Sequence, residues 1–332
     1  MSVSCLIPVR NDALRLRHCL EAIARSAPAG IDLEIIVADN GSTDGSAAVA
    51  RAAGAQVLSL PGLGVAELRN RAAAAAAADV LAFIDADHEI GDGWFAAASR
   101  ALAGERVGAA GALYLAPDGG TWVQRMYGAL RGRTTVAGDV PWLGSGNLAV
   151  RREAFDAIGG FDTSLVACED VDFCQRLRQA GWRVVGDPKL RSVHHGDPRT
   201  LGALFRAERW RGRNNIRVSL RGPLSLRGAA SVLIPVLDVL AALTVAIALT
   251  VAPFAGPAAW RIAAAALLMI GAFSMLRAVR LARRASGGVV TWIQAGAVAA
   301  TYDAGRAAAL LTAAPHHRDQ SAGPTAAGAR VA

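Results

Sequence analysis

The tightest constraint on the fold is the run Val80-Leu-Ala-Phe-Ile84 leading straight into Asp85-Ala-Asp87. A short apolar run rich in Val, Ile and Phe, preceded by the Ala tract Ala72–Ala78 that reads as plain helix, predicts a buried parallel strand. Ligands of open α/β sheets bind just beyond the carboxyl ends of such strands. Two carboxylates emerging there, with His88 and Glu89 after them, gather more negative charge than folding alone favours. Oxygen ligands so placed suit a hard divalent cation carrying a diphosphate.

The surrounding residues repeat the pattern. Val3–Pro8, Leu33–Ala38 and Gln56–Leu60 read as strands, with helices expected at Ala13–Arg25, from the Asn40–Gly45 turn through Arg51, and at Glu67–Ala78. This alternation predicts a mainly parallel, doubly wound α/β sheet. From Trp94 to Gly138 the signal weakens to a helix near Trp94–Ala103, a strand near Val107–Leu115 and a loop at Pro117–Gly120. Further on, Leu148–Val150 and Arg183–Gly186 read as strands, and Arg152–Ile158 and Cys168–Ala180 as helices, the latter with Val171, Cys174 and Leu177 on one face.

At 53% hydrophobic and mean hydropathy +0.32, the 332-residue chain is too apolar to be wholly soluble, and the surplus lies beyond Gly228. The net charge of +8 is localised too: Arg199, Arg206, Arg209, Arg211, Arg213, Arg217, Arg221 and Arg227 face one acid, Glu208. A basic collar beside an apolar segment fits an anionic membrane surface and membrane lipids. No nucleic-acid motif accompanies it, which argues against nucleic acid as a partner. Ala229–Ala252, with Asp238 its one ionisable residue, spans about 36 Å as a helix. Pro253 and Pro257 should break it before a second span, Ile262–Val279, which ends among Arg277, Arg280, Arg283 and Arg284. Val289–Ala313, interrupted by Asp303 and Arg306, reads as an interfacial or packed helix rather than a third span. The expected organisation is a catalytic domain over 1–197, a basic juxtamembrane segment over 198–228, a transmembrane hairpin over 229–284, a membrane-associated helix over 285–314 and a disordered tail over 315–332. No signal peptide is expected, so the catalytic domain should face the cytoplasm from a multi-pass position in the inner membrane. Cys5, Cys19, Cys168 and Cys174 have neither disulfide nor zinc spacing and read as reduced thiols.

Four fragments occur in order: Cys5-Leu-Ile-Pro-Val-Arg-Asn-Asp12, Val37-Ala-Asp-Asn-Gly-Ser-Thr-Asp-Gly45, Leu81-Ala-Phe-Ile-Asp-Ala-Asp87, and Gly159-Gly-Phe-Asp162 through Glu169-Asp-Val-Asp172. Over roughly residues 2–195 the chain resembles the family 2 glycosyltransferases of the GT-A fold, in their membrane-anchored bacterial form. The resemblance implies that Asp87 ligates Mg²⁺ or Mn²⁺ and that Asp85 holds the ribose or the metal's shell. It implies that Asp39 contacts a nucleotide's base or ribose, with Pro8, Arg10 and Asn11 lining the same pocket. Arg69 would meet the nucleotide or phosphate, and His194, preferred over His195, would be a late metal ligand. Of the pair Glu169-Asp170, the second acid would face the acceptor and deprotonate it, giving direct displacement with inversion. Arg206-Ala-Glu-Arg209-Trp210 is similar to the Gln-x-x-Arg-Trp signature of processive synthases, with Arg206 replacing Gln.

Plainer readings stand beside these. Pro8 shapes a turn, Asp39 caps the next helix, Arg69 is a surface helix charge, and two acids opening a helix suit its dipole. Asn147 of Gly144-Ser-Gly-Asn147 either hydrogen-bonds a sugar hydroxyl or belongs to a tight turn. Arg209 and Trp210 either hold an acceptor glycan or anchor at the membrane interface. The implied function is metal-dependent transfer of a sugar from a nucleotide-sugar donor to a lipid-linked or envelope-glycan acceptor. Alternatives are a processive polysaccharide synthase or a non-catalytic GT-A scaffold. Dinucleotide binding is disfavoured, because Gly62-Leu-Gly64 lacks the third glycine of that fingerprint.

Overall fold

The computed structural model describes residues 2–132, 137–222, 226–285 and 288–312. They form two compact units, one from 2–118 and 132–197, the other from 119–131 and 198–312.

In chain order the elements begin β1 (Ser2–Val9), α1 (Ala13–Ser26), β2 (Asp32–Asp39), α2 (Ser46–Ala52), β3 (Gln56–Ser59), α3 (Val65–Ala75), β4 (Val80–Ile84), β5 (His88–Ile90), α4 (Trp94–Leu102) and β6 (Val107–Gly111). After α5 (Trp122–Arg131), which belongs to the second unit, come β7 (Gly138–Asp139), β8 (Asn147–Arg151), α6 (Arg152–Ala157), α7 (Glu169–Gln179), β9 (Arg183–Gly186) and β10 (Ser192–His194). The large sheet has the order β3-β2-β1-β4-β8-β6-β9-β7. β4 is buried along its whole length. Alternate strand residues feed opposite faces: Cys5 and Ile7 meet α1 and α4, whereas Leu6 and Phe83 meet α3, α6 and α7.

The sheet is mixed rather than uninterrupted parallel, because β8 runs antiparallel to both β4 and β6. β8 starts opposite the end of β4, Ile84 pairing with Asn147, and so brings the Gly144–Asn147 loop beside Asp85. β6 stops at Gly111 instead of reaching Leu115, its last pairs being Gly111 with Leu148 of β8 and with Gly186 of β9. α3 ends at Ala75, short of the expected Ala78. The Arg152 guanidinium donates to the carbonyls of Ala73, Ala76 and Ala78, giving partners to acceptors at and beyond the helix end. Val171 is only half-buried on α7, where Phe173, Cys174 and Leu177 make the core face. The three-residue strands β5 and β10 pair antiparallel in a small second sheet and are too short to carry a period.

The second unit comprises α5, α8 (Leu201–Arg211), α9 (Asn215–Ser219), α10 (Leu226–Ala255), α11 (Pro257–Ala285) and α12 (Val289–Leu310). α5 was not expected from the sequence. Its Val123, Met126 and Tyr127 pack with Leu204 of α8, Leu281 of α11 and Val298 of α12. α10 and α11 are long and apolar enough to cross a membrane. α10 continues through Pro253, and the break falls at Gly256, whose φ of +65° ends the helix before Pro257 opens the next. The charges that interrupt α12 are spent on its neighbours. Asp303 accepts from Ser274 and Arg277, and Arg306 donates to Glu208. Glu208, the collar's lone acid, is fully buried and also accepts from Tyr127 and Arg211. The tail 315–332 lies outside the described residues.

Candidate active site and metal centre

β1, β2 and β4 are parallel neighbours, so the segments leaving their carboxyl ends meet along one edge. After β1, Asn11 adopts φ +51° and its Oδ1 accepts from the Thr43 backbone N–H at 2.7 Å. The Asn11 N–H donates to Ser42 Oγ, and Asp44 Oδ2 accepts from Ala13 N. Asn11 thus ties the first loop to the second, and its side-chain oxygen is committed to that tie. Asp39 is buried at the tip of β2 and its Oδ1 accepts from Ser42 N, holding the turn. Pro8 is half-buried and Arg10 exposed on the same edge.

Beyond β4 the chain turns so that His88 N donates to the Asp85 carbonyl. The β5–β10 ladder sets His88 opposite His194, and their rings lie 4.7 Å apart between centroids. One donor atom each from Asp87, His88 and His194 fall within 4.8 Å of one another. His194 Nε2 is 3.2 Å from Asp87 Oδ2, and its Nδ1 is 2.8 Å from Asp197 Oδ1. His88 Nδ1 lies 3.0 Å from Ser192 Oγ. A Cβ at Gly196 would collide with Asp87 Oδ2 and crowd His194 Nε2, and one at Gly146 would lie 2.5 Å from Asp85 Oδ2 and 3.0 Å from His88 Nε2. Glycine therefore brings backbone against the donor atoms on two sides. One carboxylate and two imidazoles in this cradle fit a divalent transition cation.

Electrostatics sharpen the centre. Burial alone would lower the His194 pKa, but the Asp87 and Asp197 carboxylates outweigh it and hold it near 9. Burial, reinforced by neighbouring His194, pushes His88 down to about 4 and keeps that ring neutral. Burial works against Asp87, yet the nearby His194 keeps its carboxyl well below the usual range.

The second cluster is organised by Arg69. Its guanidinium is buried and donates from Nη2 to Asp85 Oδ1 at 2.7 Å and from Nη1 to Glu169 Oε1 at 2.8 Å. Arg69 therefore clamps two carboxylates and is buried rather than lying on the surface, and its Nε has no hydrogen-bond partner among the described residues. Next along α7, Asp170 is pushed up to about 7, first by burial and then by the Glu169 charge. Cys168, at φ +63°, turns the chain into this helix.

Asn147 does not offer itself to a ligand. It is fully buried, its Oδ1 accepts from Trp94 Nε1, and its Nδ2 donates to the carbonyls of Leu190 and Ala112. The reading as a sugar-contacting side chain is therefore replaced by a structural one. Asn147→Ala should cost roughly 3 kcal/mol by orphaning buried partners, lowering the melting temperature by roughly 10 °C; thermal denaturation checks it. Arg209 and Trp210 lie half-buried on α8 in the second unit. His88, Ser192 and Asp197 escaped the sequence reading. The signal for them is position: His88 directly follows Asp87, and Ser192 and Asp197 lie two and three residues from His194.

Residues 4–159 match the family described as Glycosyl transferase family 2. The chain is 26% identical over 251 residues to "Glycosyltransferase AglE" of Haloferax volcanii, covering 71% of this chain and 80% of that protein. It is 40% identical over 104 residues to an "N-acetylglucosaminyl-diphospho-decaprenol L-rhamnosyltransferase" of Mycobacterium tuberculosis, covering 26% of this chain and 34% of that protein. Among solved structures it is similar to a mannosyltransferase from Pyrobaculum calidifontis in complex with GDP-Man and Mn²⁺, with a TM-score of 0.58, 22% identity, and coverage of 90% of this chain and 85% of that one. That likeness speaks for the fold, which is GT-A.

Proposed function

The chain belongs to glycosyl transferase family 2 through residues 4–159 and is a glycosyltransferase; we propose that it transfers a sugar with inversion, in a metal-dependent reaction, from a nucleotide-sugar to a lipid-linked or membrane-proximal glycan. The observation that carries this reading is the Asp87–His88–His194 donor set beyond the central strands of the same unit that holds the high-pKa carboxyl of Asp170. A bound Mn²⁺ or Mg²⁺ would be held by Asp87, His194 and His88 and would offset the charge that gathers on the departing diphosphate. The mixed nitrogen and oxygen donors favour Mn²⁺ over Mg²⁺.

The remaining work falls to side chains. Asp170 accepts the proton of the acceptor hydroxyl as that oxygen forms its bond to the anomeric carbon. The bond from that carbon to the diphosphate oxygen breaks, and its electron pair leaves with the nucleoside diphosphate. One base opposite the leaving group gives inversion without a covalent intermediate. Glu169 and Arg69 keep Asp85 and the start of α7 in place, while the Glu169 charge keeps Asp170 basic enough to take the proton. Asp39, Pro8 and Arg10 are the proposed nucleotide side of the site, with Asn11 shaping the loop.

The apolar helices α10 and α11 would form a membrane hairpin with both ends on the cytoplasmic side, where the basic residues lie. Tethering beside a bilayer raises the effective concentration of lipid-linked acceptors, and the Mycobacterium relative is named for an acceptor of that kind. Full-length protein in detergent, screened by thermal shift against a panel of UDP-, GDP- and dTDP-sugars, should respond to one nucleotide class with Mn²⁺ present. The response should be weaker with Mg²⁺ and vanish with EDTA. A response to NAD(P) instead, or an undiminished response in EDTA, would overturn the reading.

A further inference from the structure

We propose that Asp197 is the positioning residue of the metal centre, a role that rests on the metal-dependent reading above. The loop His194-His195-Gly196-Asp197 wraps Asp87: His195 N donates to the Asp87 carbonyl, and Gly196 presses its backbone against Asp87 Oδ2. At the far end of the loop the Asp197 side chain is completely buried and its Oδ1 sits 2.8 Å from His194 Nδ1. With Nδ1 donating to that carboxylate, Nε2 is the His194 ring nitrogen left to face Asp87 and a cation. An outer carboxylate of this kind fixes the tautomer and ring angle of a ligating histidine and raises its basicity.

The same design appears at lower charge on the neighbouring ring. His88 Nδ1 is engaged by Ser192 Oγ, and Tyr114 packs edge-on against His88 with centroids 4.8 Å apart. Tyr114 also lies 5.0 Å from His194. The imidazoles are thus confined by one aromatic ring and each anchored through Nδ1. Of the two anchors only Asp197 carries charge, so its removal should loosen the cation most.

Mn²⁺ binding to full-length protein in detergent tests this without requiring turnover, by electron paramagnetic resonance titration of free Mn²⁺. Asp197→Ala should weaken Mn²⁺ binding by about 10- to 100-fold and change the visible absorption spectrum of the Co²⁺-loaded protein. Asp197→Asn keeps an oxygen acceptor for Nδ1–H and should lose on the order of 10-fold or less; it carries the test if the alanine variant does not fold. Ser192→Ala should lose less than Asp197→Ala. Wild-type affinity and an unchanged Co²⁺ spectrum in folded Asp197 variants would overturn the assignment while leaving the metal reading intact. A wild-type protein that binds no Mn²⁺ would end both.

Discussion

Asp87→Asn should lower transfer by about a thousandfold, an effect of roughly 4 kcal/mol on the barrier, and leave the fold intact. The carboxylate is the anionic member of the donor set, and His194 and Arg15 both face it, at 3.2 and 3.9 Å. An amide keeps the shape of the side chain but surrenders the charge that draws a cation in. The measurement is nucleoside diphosphate release with Mn²⁺, beside a melting curve matching that of wild type. Residual activity indifferent to EDTA and close to the wild-type rate would remove Asp87 from its assigned role.

The second large effect belongs to Asp170. Asp170→Asn should reduce transfer by about 10²- to 10⁴-fold with donor affinity held within about twofold, because a base acts on the acceptor hydroxyl and not on the nucleotide. The raised pKa adds a sign. A carboxyl held near 7 is protonated below that pH and cannot accept a proton there, so the wild-type rate should fall as pH drops through about 7. That acid limb should be missing from the residual rate of the asparagine variant. A parallel loss of donor affinity, or an acid limb near the ordinary carboxylate value, would reassign the base.

What could be read from the sequence was what local order encodes. β4 and its acidic exit were legible because a buried strand writes itself as a continuous apolar run, and the crossover helices because their apolar residues recur at helical spacing. The antiparallel entry of β8 was not legible, since strand direction is set by the path of the chain and leaves no period behind. The tertiary partners of Arg69 and Asn147 are not legible for a related reason. A long cation or an amide near an active site looks available until its tertiary partners are known, and here Asp85 and Glu169 claim the first, Trp94 and Leu190 the second. Asp197 stands three residues after His194, near enough in sequence to be paired with it, but the burial of its side chain against that ring belongs to the tertiary structure.

The departure of α5 from its sequence neighbours has a practical consequence. The chain enters the helical unit twice, at 119–131 and again from 198, so no single cut divides the protein into its two units. A shortened chain ending at Asp197 would retain Val123, Met126 and Tyr127 while deleting the Leu204, Leu281 and Val298 side chains that cover them. The exposed stripe would make such a fragment prone to self-association. Freeing the sheet-bearing unit therefore calls for removing 119–131 as well as the residues from 198 onward.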